Sequence, residues 1–501
     1  MSSRLRSVLF LLLLVGPALA CETRPEQVDE VSLALAPCPP ADAIEDGLCG
    51  VHEVFEDREA AAGRRIPLRV VVLPALSGDP LPDPVFFLAG GPGQAATELT
   101  PALGGPFRRV NRDRDLVFVD QRGTGQSNPL TCELDEDAPD DALLLDPMSA
   151  ELLRERSMAQ VERCLQTLDA DPRLYTTPIA MDDLDEVRAA LGYDRINLWG
   201  GSYGTRAGLV YLRRHGERVR TAILDGLAPV EMKLPLHMGR DAARALDLLL
   251  EDCAADPGCG SAYPDLAEEL QTLLDRLAEG PVEQTVAHPR TGQPTEVIVS
   301  RTSLASNVRA PLYSPVLASV LPLAISEAAR ENYGPLAAMG ANFAGDASLS
   351  VGMFLSVVCS EDLPAITEAD RAEAAEEPLF GDSLVASFEA LCSVWPRGSL
   401  PEGYGDPVRA DQPVLLLSGL LDPVTPPRWG ETVGHTLTNA RHIEVPGAAH
   451  GTITAGCVPD LMADFIDQAS AGGLDDSCVA DIERPRFFDS PLGPDTGAAA
   501  P

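Results

Sequence analysis

The run Ile196-Asn197-Leu198-Trp199 leads straight into Gly200-Gly201-Ser202-Tyr203-Gly204 and then into a helix-like stretch, Thr205 to Leu212. Few backbones satisfy that order. A buried strand has to turn sharply at the glycines and enter a helix at once, with the serine at the turn. There the hydroxyl projects past the sheet edge, and small neighbours let strand and helix pass closely. The helix N-terminus behind it places a positive dipole where negative charge can develop. A glycine-serine turn is common by itself, so its meaning depends on the rest of the chain.

The other apolar runs fit the same frame. Leu68–Val72, Val85–Leu88, Leu116–Val119, Ile196–Trp199 and Ala222–Leu224 read as buried strands, with helix-like stretches such as Ala150–Leu168 and Asp182–Leu191 between them. Continuous apolar strands alternating with helices predict an α/β fold, a mostly parallel sheet with helices on both faces. The rhythm stops after Asp225. From Met238 to about Leu277, and again over 300–395, the chain reads as mostly helical. The strand pattern returns at Val414–Ser418 and His442–Val445. The expected division is a signal peptide at 1–20, a tether and lead-in at 21–50, and a core in two parts at 51–230 and 401–485. A helical cap insertion occupies 231–400 and a disordered tail 486–501.

The N-terminus predicts export. Arg4 and Arg6 precede a short apolar core, Val8–Val15, and Ala18-Leu19-Ala20 forms a small-x-small cleavage site. The apolar run is too short to span a bilayer. Cleavage after Ala20 leaves Cys21 first, which resembles a bacterial lipoprotein signal in which that cysteine is lipidated. Ala18 stands where such signals carry leucine, and ordinary secretion is the alternative. The chain has eleven cysteines. Setting Cys21 aside, nearest-neighbour pairing gives Cys38–Cys49, Cys132–Cys164, Cys253–Cys259, Cys359–Cys392 and Cys457–Cys478. Such usage suits an oxidising compartment. The expected location is therefore the periplasm or outer membrane, anchored through Cys21, or the secreted fraction.

Composition excludes other classes. The net charge of −38, from 38 basic and 76 acidic residues, repels nucleic acid and anionic lipid. No cysteine pair has zinc-ligand spacing with nearby histidines, so neither a metal nor a cofactor is expected.

A nucleophilic serine needs a base, an acid that orients it, and donors for an oxyanion. Asp422 follows the strand Val414–Ser418 within Gly419-Leu420-Leu421-Asp422-Pro423, at a carboxyl edge where such sheets keep their sites. Asp225 also ends a strand and is the competing acid. His450 lies in Val445-Pro446-Gly447-Ala448-Ala449-His450-Gly451, a small-residue loop after a strand. His435 falls in a helix-like stretch and His442 begins a strand, while His52, His215, His237 and His288 come too early or sit in the insertion. The expected oxyanion donors are the backbone N–H groups of Tyr203 and of Gly91, in Ala89-Gly90-Gly91-Pro92-Gly93.

One longer string, Asp120-Gln121-Arg122-Gly123-Thr124-Gly125-Gln126-Ser127, lies between the glycine loop and Ser202. With Gly90-Gly91-Pro92-Gly93, Gly200-Gly201-Ser202-Tyr203-Gly204 and the late Asp and His loops, it resembles the proline iminopeptidase and tripeptidyl aminopeptidase family of α/β-hydrolase serine peptidases. Cys359-Ser360-Glu361-Asp362 and Cys392-Ser393-Val394-Trp395-Pro396 are similar to its secreted tripeptidyl branch. Ala89 departs from the histidine with which proline iminopeptidases begin the glycine loop. The resemblance implies an α/β-hydrolase fold and peptide substrates with a free N-terminus, cut by Ser202, Asp422 and His450 to release short pieces. It also implies a cap that limits the cleft and an acidic group for the α-ammonium, for which Glu361 and Asp362 are candidates. Asp120 and Arg122 are expected to be structural. An esterase or lipase would use the same three residues. A binding lipoprotein on an inactive hydrolase scaffold is the non-enzymatic alternative, and the complete set of three argues against it.

Overall fold

The computed structural model describes residues 33–44, 46–132, 150–341 and 349–494. The signal segment 1–20 and Cys21 lie outside these. Seven strands come first: β1 (Ala36–Pro37), β2 (Leu48–Phe55), β3 (Arg65–Leu73), β4 (Val85–Leu88), β5 (Leu116–Val119), β6 (Ile196–Gly201) and β7 (Val219–Asp225). A long insertion contains β8 (Val282–Ala287) and β9 (Pro294–Val299), and β10 (Val414–Gly419) and β11 (Ala440–Val445) follow it. The main sheet has nine strands in the order β1-β2-β3-β5-β4-β6-β7-β10-β11. The pairs β1·β2, β2·β3 and β3·β5 are antiparallel, and every pair from β5·β4 to β10·β11 is parallel.

Alternate residues of the central strands feed two cores. Val70, Phe86, Val117, Leu198, Leu224 and Leu416 face the helices Thr177–Ala190 and Tyr203–His215. Val71, Phe87, Phe118, Ile223, Leu415 and Val445 face the helix Val458–Gln468. Both faces are dry, which is why these strands read as unbroken apolar runs rather than alternating ones. Each buried large apolar side chain contributes roughly 1.5–3 kcal/mol relative to exposure.

The insertion has its own core. Helices Leu236–Ala255, Leu266–Glu279, Arg301–Leu312 and Leu321–Ala329 bury Leu249, Leu273, Leu304 and Ile325 together. The hairpin β8·β9 packs Val286, Val297 and Val299 on the same core. The purely helical expectation for this region misses that hairpin, because most of its alternate positions are exposed polar residues.

Two other expectations are corrected. The lead-in is tied down from Leu33 onward: the Leu33 N–H donates to the Ala190 carbonyl at 3.0 Å, and β1 pairs with β2 beside the Cys38–Cys49 bridge. The tail is also ordered as far as residue 494. Arg484 donates to Asp252 at 2.8 Å, Phe487 is buried in the insertion core, and the Phe488 N–H donates to the Ser319 carbonyl at 3.0 Å. Aromatic anchors among prolines outweigh a composition that looks disordered. Cys38–Cys49, Cys132–Cys164, Cys253–Cys259, Cys359–Cys392 and Cys457–Cys478 are disulfides. Among the described residues no helix is long and apolar enough to cross a membrane.

Candidate active site

Ser202 joins β6 to the helix Tyr203–His215 with φ 55° and ψ −123°, a conformation that costs a non-glycine residue about 1–3 kcal/mol. Surrounding bonds hold it there. Its N–H donates to the Asp225 carbonyl at 2.9 Å, and its own carbonyl accepts from the Thr205 N–H at 2.8 Å and hydroxyl at 2.6 Å. A Cβ on Gly204 would collide with the Leu88 carbonyl, so the helix can approach β4 this closely only with glycine there.

Asp422 and His450 come from the loops after β10 and β11, whose parallel pairing sets them side by side. His450 Nδ1 and Asp422 Oδ2 are 2.9 Å apart. Asp422 Oδ1 accepts the N–H groups of Val424 at 2.7 Å and Thr425 at 2.8 Å, and Oδ2 accepts the Thr425 hydroxyl at 2.7 Å. That hydroxyl oxygen also lies 3.1 Å from His450 Nδ1. Burial pushes the Asp422 carboxyl up, but His450 and these donors outweigh it and hold the group below its ordinary value. Burial pushes His450 down, and Asp422, with a smaller contribution from Asp225, outweighs it and holds the imidazole above its ordinary 6.5. The two shifts agree, as expected for one ion-pair-like contact. Sequence reasoning missed Thr425, whose Asp-Pro-Val-Thr spacing allows a local turn bond back to the aspartate.

Asp225, the competing acid, does not bond the imidazole. Its carboxylate accepts the Thr452 N–H and hydroxyl and the Ile453 N–H, within the loop that carries His450. His442 pairs with the Ser418 hydroxyl at 2.9 Å, and His435 is exposed on its own helix end.

Ser202, Tyr203, Gly90, Gly91, Asp225 and His450 line one cavity of about 420 Å³. Gly90 is the closer glycine: a Cβ there would meet the Ser202 Cβ at 3.3 Å. Asp120 ties the turn that follows the glycine loop to its own loop by accepting the Thr97 N–H at 2.9 Å and the Gln126 N–H at 3.1 Å. Arg122 is fully buried and gives two bonds to Asp183, at 2.6 and 2.9 Å, and others to the carbonyls of Glu56 and Leu174. The far wall is apolar, with Met232, Leu234, Met238, Tyr313, Leu349 and Phe354. The Tyr313 ring packs edge-on against His450, with centroids 5.1 Å apart.

The structure does not bring Glu361 and Asp362 onto the cavity wall. Both lie on a π-helical turn, Val358–Asp362, and both are buried. Arg206 takes Asp362 through both terminal nitrogens, at 3.0 and 2.9 Å. Glu361 accepts the Thr177 N–H at 2.7 Å, the Thr177 hydroxyl at 2.9 Å and the Tyr404 hydroxyl. Their carboxylates already have partners, which corrects the expectation that they meet a substrate ammonium directly. Arg206 itself lies on the wall, between these acids and the cavity.

A serine on a strained strand-to-helix turn, in a mostly parallel sheet that brings an aspartate–histidine pair to the same cavity, defines a serine hydrolase of the α/β-hydrolase fold. The family model described as alpha/beta hydrolase fold matches residues 83–288, and the one described as TAP-like protein matches residues 377–478. The chain is 27% identical to serine protease Hip1 of Mycobacterium tuberculosis H37Rv over 463 residues, 84% of this chain and 85% of that protein. It is 31% identical to the tripeptidyl aminopeptidase of Streptomyces lividans over 157 residues, 28% of each chain. It is 29% identical to the proline iminopeptidase of Neisseria gonorrhoeae over 153 residues, 30% of this chain and 34% of that one. The chain has the α/β-hydrolase fold and is similar to serine peptidases of the proline iminopeptidase and tripeptidyl aminopeptidase kind.

Proposed function

We propose that this protein is an exported exopeptidase that releases short peptides from free N-termini, with Ser202 as nucleophile, His450 as base and Asp422 as its orienting acid. The observation that carries this reading is the 2.9 Å contact between Asp422 and His450, opening on the cavity that holds Ser202. Ser202 Oγ attacks the scissile carbonyl and its proton passes to His450 Nε2. The oxyanion is met by the N–H groups of Tyr203 and Gly91. His450 then returns the proton to the departing amine, and water releases the acyl group by the same steps. The inserted helices act as a cap that bounds the cavity on its apolar side.

Export rests on the N-terminal charged and apolar pattern and on five disulfides in the described chain. Lipidation of Cys21 accounts for the one cysteine left over. The decisive experiment compares free-amine and N-acetylated tripeptidyl substrates with short acyl esters. Preference for the free amine supports the exopeptidase. Equal rates on both peptides with fast ester cleavage move the protein to the esterase reading, which the apolar cavity wall also accommodates.

A further inference from the structure

Among the described residues of the cavity wall, Asp225 is the one carboxylate that the chemistry above leaves unused. It ends β7, next to the elbow strand β6, and it touches both halves of the site. Its main-chain carbonyl takes the Ser202 N–H at 2.9 Å. Its side chain takes the Thr452 N–H at 2.9 Å, the Thr452 hydroxyl at 3.1 Å and the Ile453 N–H at 3.1 Å, two and three residues beyond His450. The next residue, Gly226, has φ 72°, and a Cβ there would meet the Thr425 hydroxyl at 2.9 Å, His450 Cε1 at 3.7 Å and Asp422 Oδ2 at 3.8 Å. The Asp225–Gly226 step therefore abuts the nucleophile, the base, the acid and Thr425 at once.

Such a position is unusual for a carboxylate. Asp225 is 1% exposed and, among the described residues, no arginine, lysine or histidine bonds it directly, whereas the buried Asp183 and Asp362 each have a guanidinium. An anion without a direct counter-ion is expensive to bury, and three donors alone are a partial answer. What remains is the imidazole. The charged groups facing the Asp225 side chain are His450 and Asp422, and beyond His450 stands Arg309. When His450 takes the Ser202 proton, the charge left uncompensated at Asp225 gains its counter-ion.

We infer that Asp225 is a positioning residue of the reaction: its carboxylate fixes the loop bearing His450 against the Ser202 turn and favours the imidazolium formed during acyl transfer. This rests on the assignment of Ser202, Asp422 and His450. Burial pushes the Asp225 carboxyl up to about 6, so its charge is present at neutral pH and is lost in mild acid.

The test is Asp225→Asn, which keeps size and main chain but removes the charge and one acceptor. On a free-amine tripeptidyl amide, kcat should fall by about 10- to 100-fold with KM little changed, since a small misplacement of the base has that effect. The acid limb of kcat/KM should move to lower pH, because the imidazole loses a neighbouring anion. Wild-type activity should fall with a slope approaching about 2 below about pH 6, as His450 and Asp225 both protonate, and the variant with a slope of about 1. A purely structural anchor lowers the folded fraction but moves neither limb nor slope, so that result overturns the inference, as does a variant with wild-type kcat. If Asp225→Asn does not fold, Thr452→Val and the wild-type slope decide. Thr452→Val removes one donor to Asp225 and should lower kcat with KM held, and a normal kcat together with a wild-type slope of about 1 defeats the inference. A Ser202→Ala control that stays active defeats the underlying assignment instead.

Discussion

His450 and Asp422 meet at 2.9 Å across the ends of two parallel strands, and each shifts the other toward its charged form. Catalysis needs the neutral imidazole, while the contact favours the protonated one. The acid limb of kcat/KM should therefore have its midpoint above 6.5, the ordinary histidine value. The stability linkage has two signs. His450, raised in the folded state, stabilises the fold below 6.5 and loses that contribution as pH rises through its folded value. Asp422, lowered, contributes above 3.8 and loses it as pH falls through its own. A pH–rate series with a free-amine peptide amide checks the first point, and a midpoint at or below 6.5 contradicts it.

Ser202→Ala should remove about 10⁶ in turnover. It should also abolish labelling by a fluorophosphonate. Thermal unfolding should stay near wild type, because the bonds that hold the turn come from the main chain and Thr205. Retention of more than a few per cent of activity would falsify the nucleophile assignment.

Arg122→Ala should be a stability variant. It strips Asp183 of two bonds inside the core and leaves only Arg58, at 2.8 Å, to face that carboxylate. Breaking one side of such a buried pair costs about 3–5 kcal/mol. Urea unfolding should show the loss, and KM of the surviving folded fraction should not move.

Glu361→Gln and Asp362→Ala separate a buried network from a substrate contact. Glu361→Gln keeps an acceptor for Thr177 and should cost about 1–2 kcal/mol. Asp362→Ala leaves Arg206 without its bidentate partner and should cost about 3–5 kcal/mol. Neither change should alter the ratio of free-amine to acetylated substrate turnover. A collapse of that ratio in Glu361→Gln, with stability intact, would restore direct ammonium binding.

Much of the core was legible because local chemistry and fold agree there. The strand Ile196–Gly201 and the turn at Ser202 impose their geometry through residues adjacent in the chain. Asp422 and His450 could be placed because each follows an apolar strand whose end is fixed by the sheet. The insertion was less readable. Glu361 and Asp362 read as candidates for a substrate ammonium, but Arg206, from a distant helix, takes Asp362, and Thr177 and Tyr404 take Glu361. Tyr313 and Phe354 line the cavity only through packing between elements far apart in sequence, and no short pattern announces it. Asp225 was legible as a strand-end residue, but its bonds to Thr452 and Ile453 depend on which loops the sheet brings together, and Thr425 was not singled out at all.

The segment Arg484–Phe488 returns from the last helix of the core and fastens onto the insertion through Asp252, Phe487 and the Ser319 carbonyl. An insertion held at its two chain junctions alone could swing like a door. This segment adds a moorage to those that Arg206–Asp362, Thr177–Glu361 and Arg428–Asp241 already supply. Any movement of the insertion away from Ser202 would have to break these contacts as well as bend the two junctions. The far end of the chain thus helps to set the shape of a cavity whose Ser202 lies more than two hundred residues away in sequence.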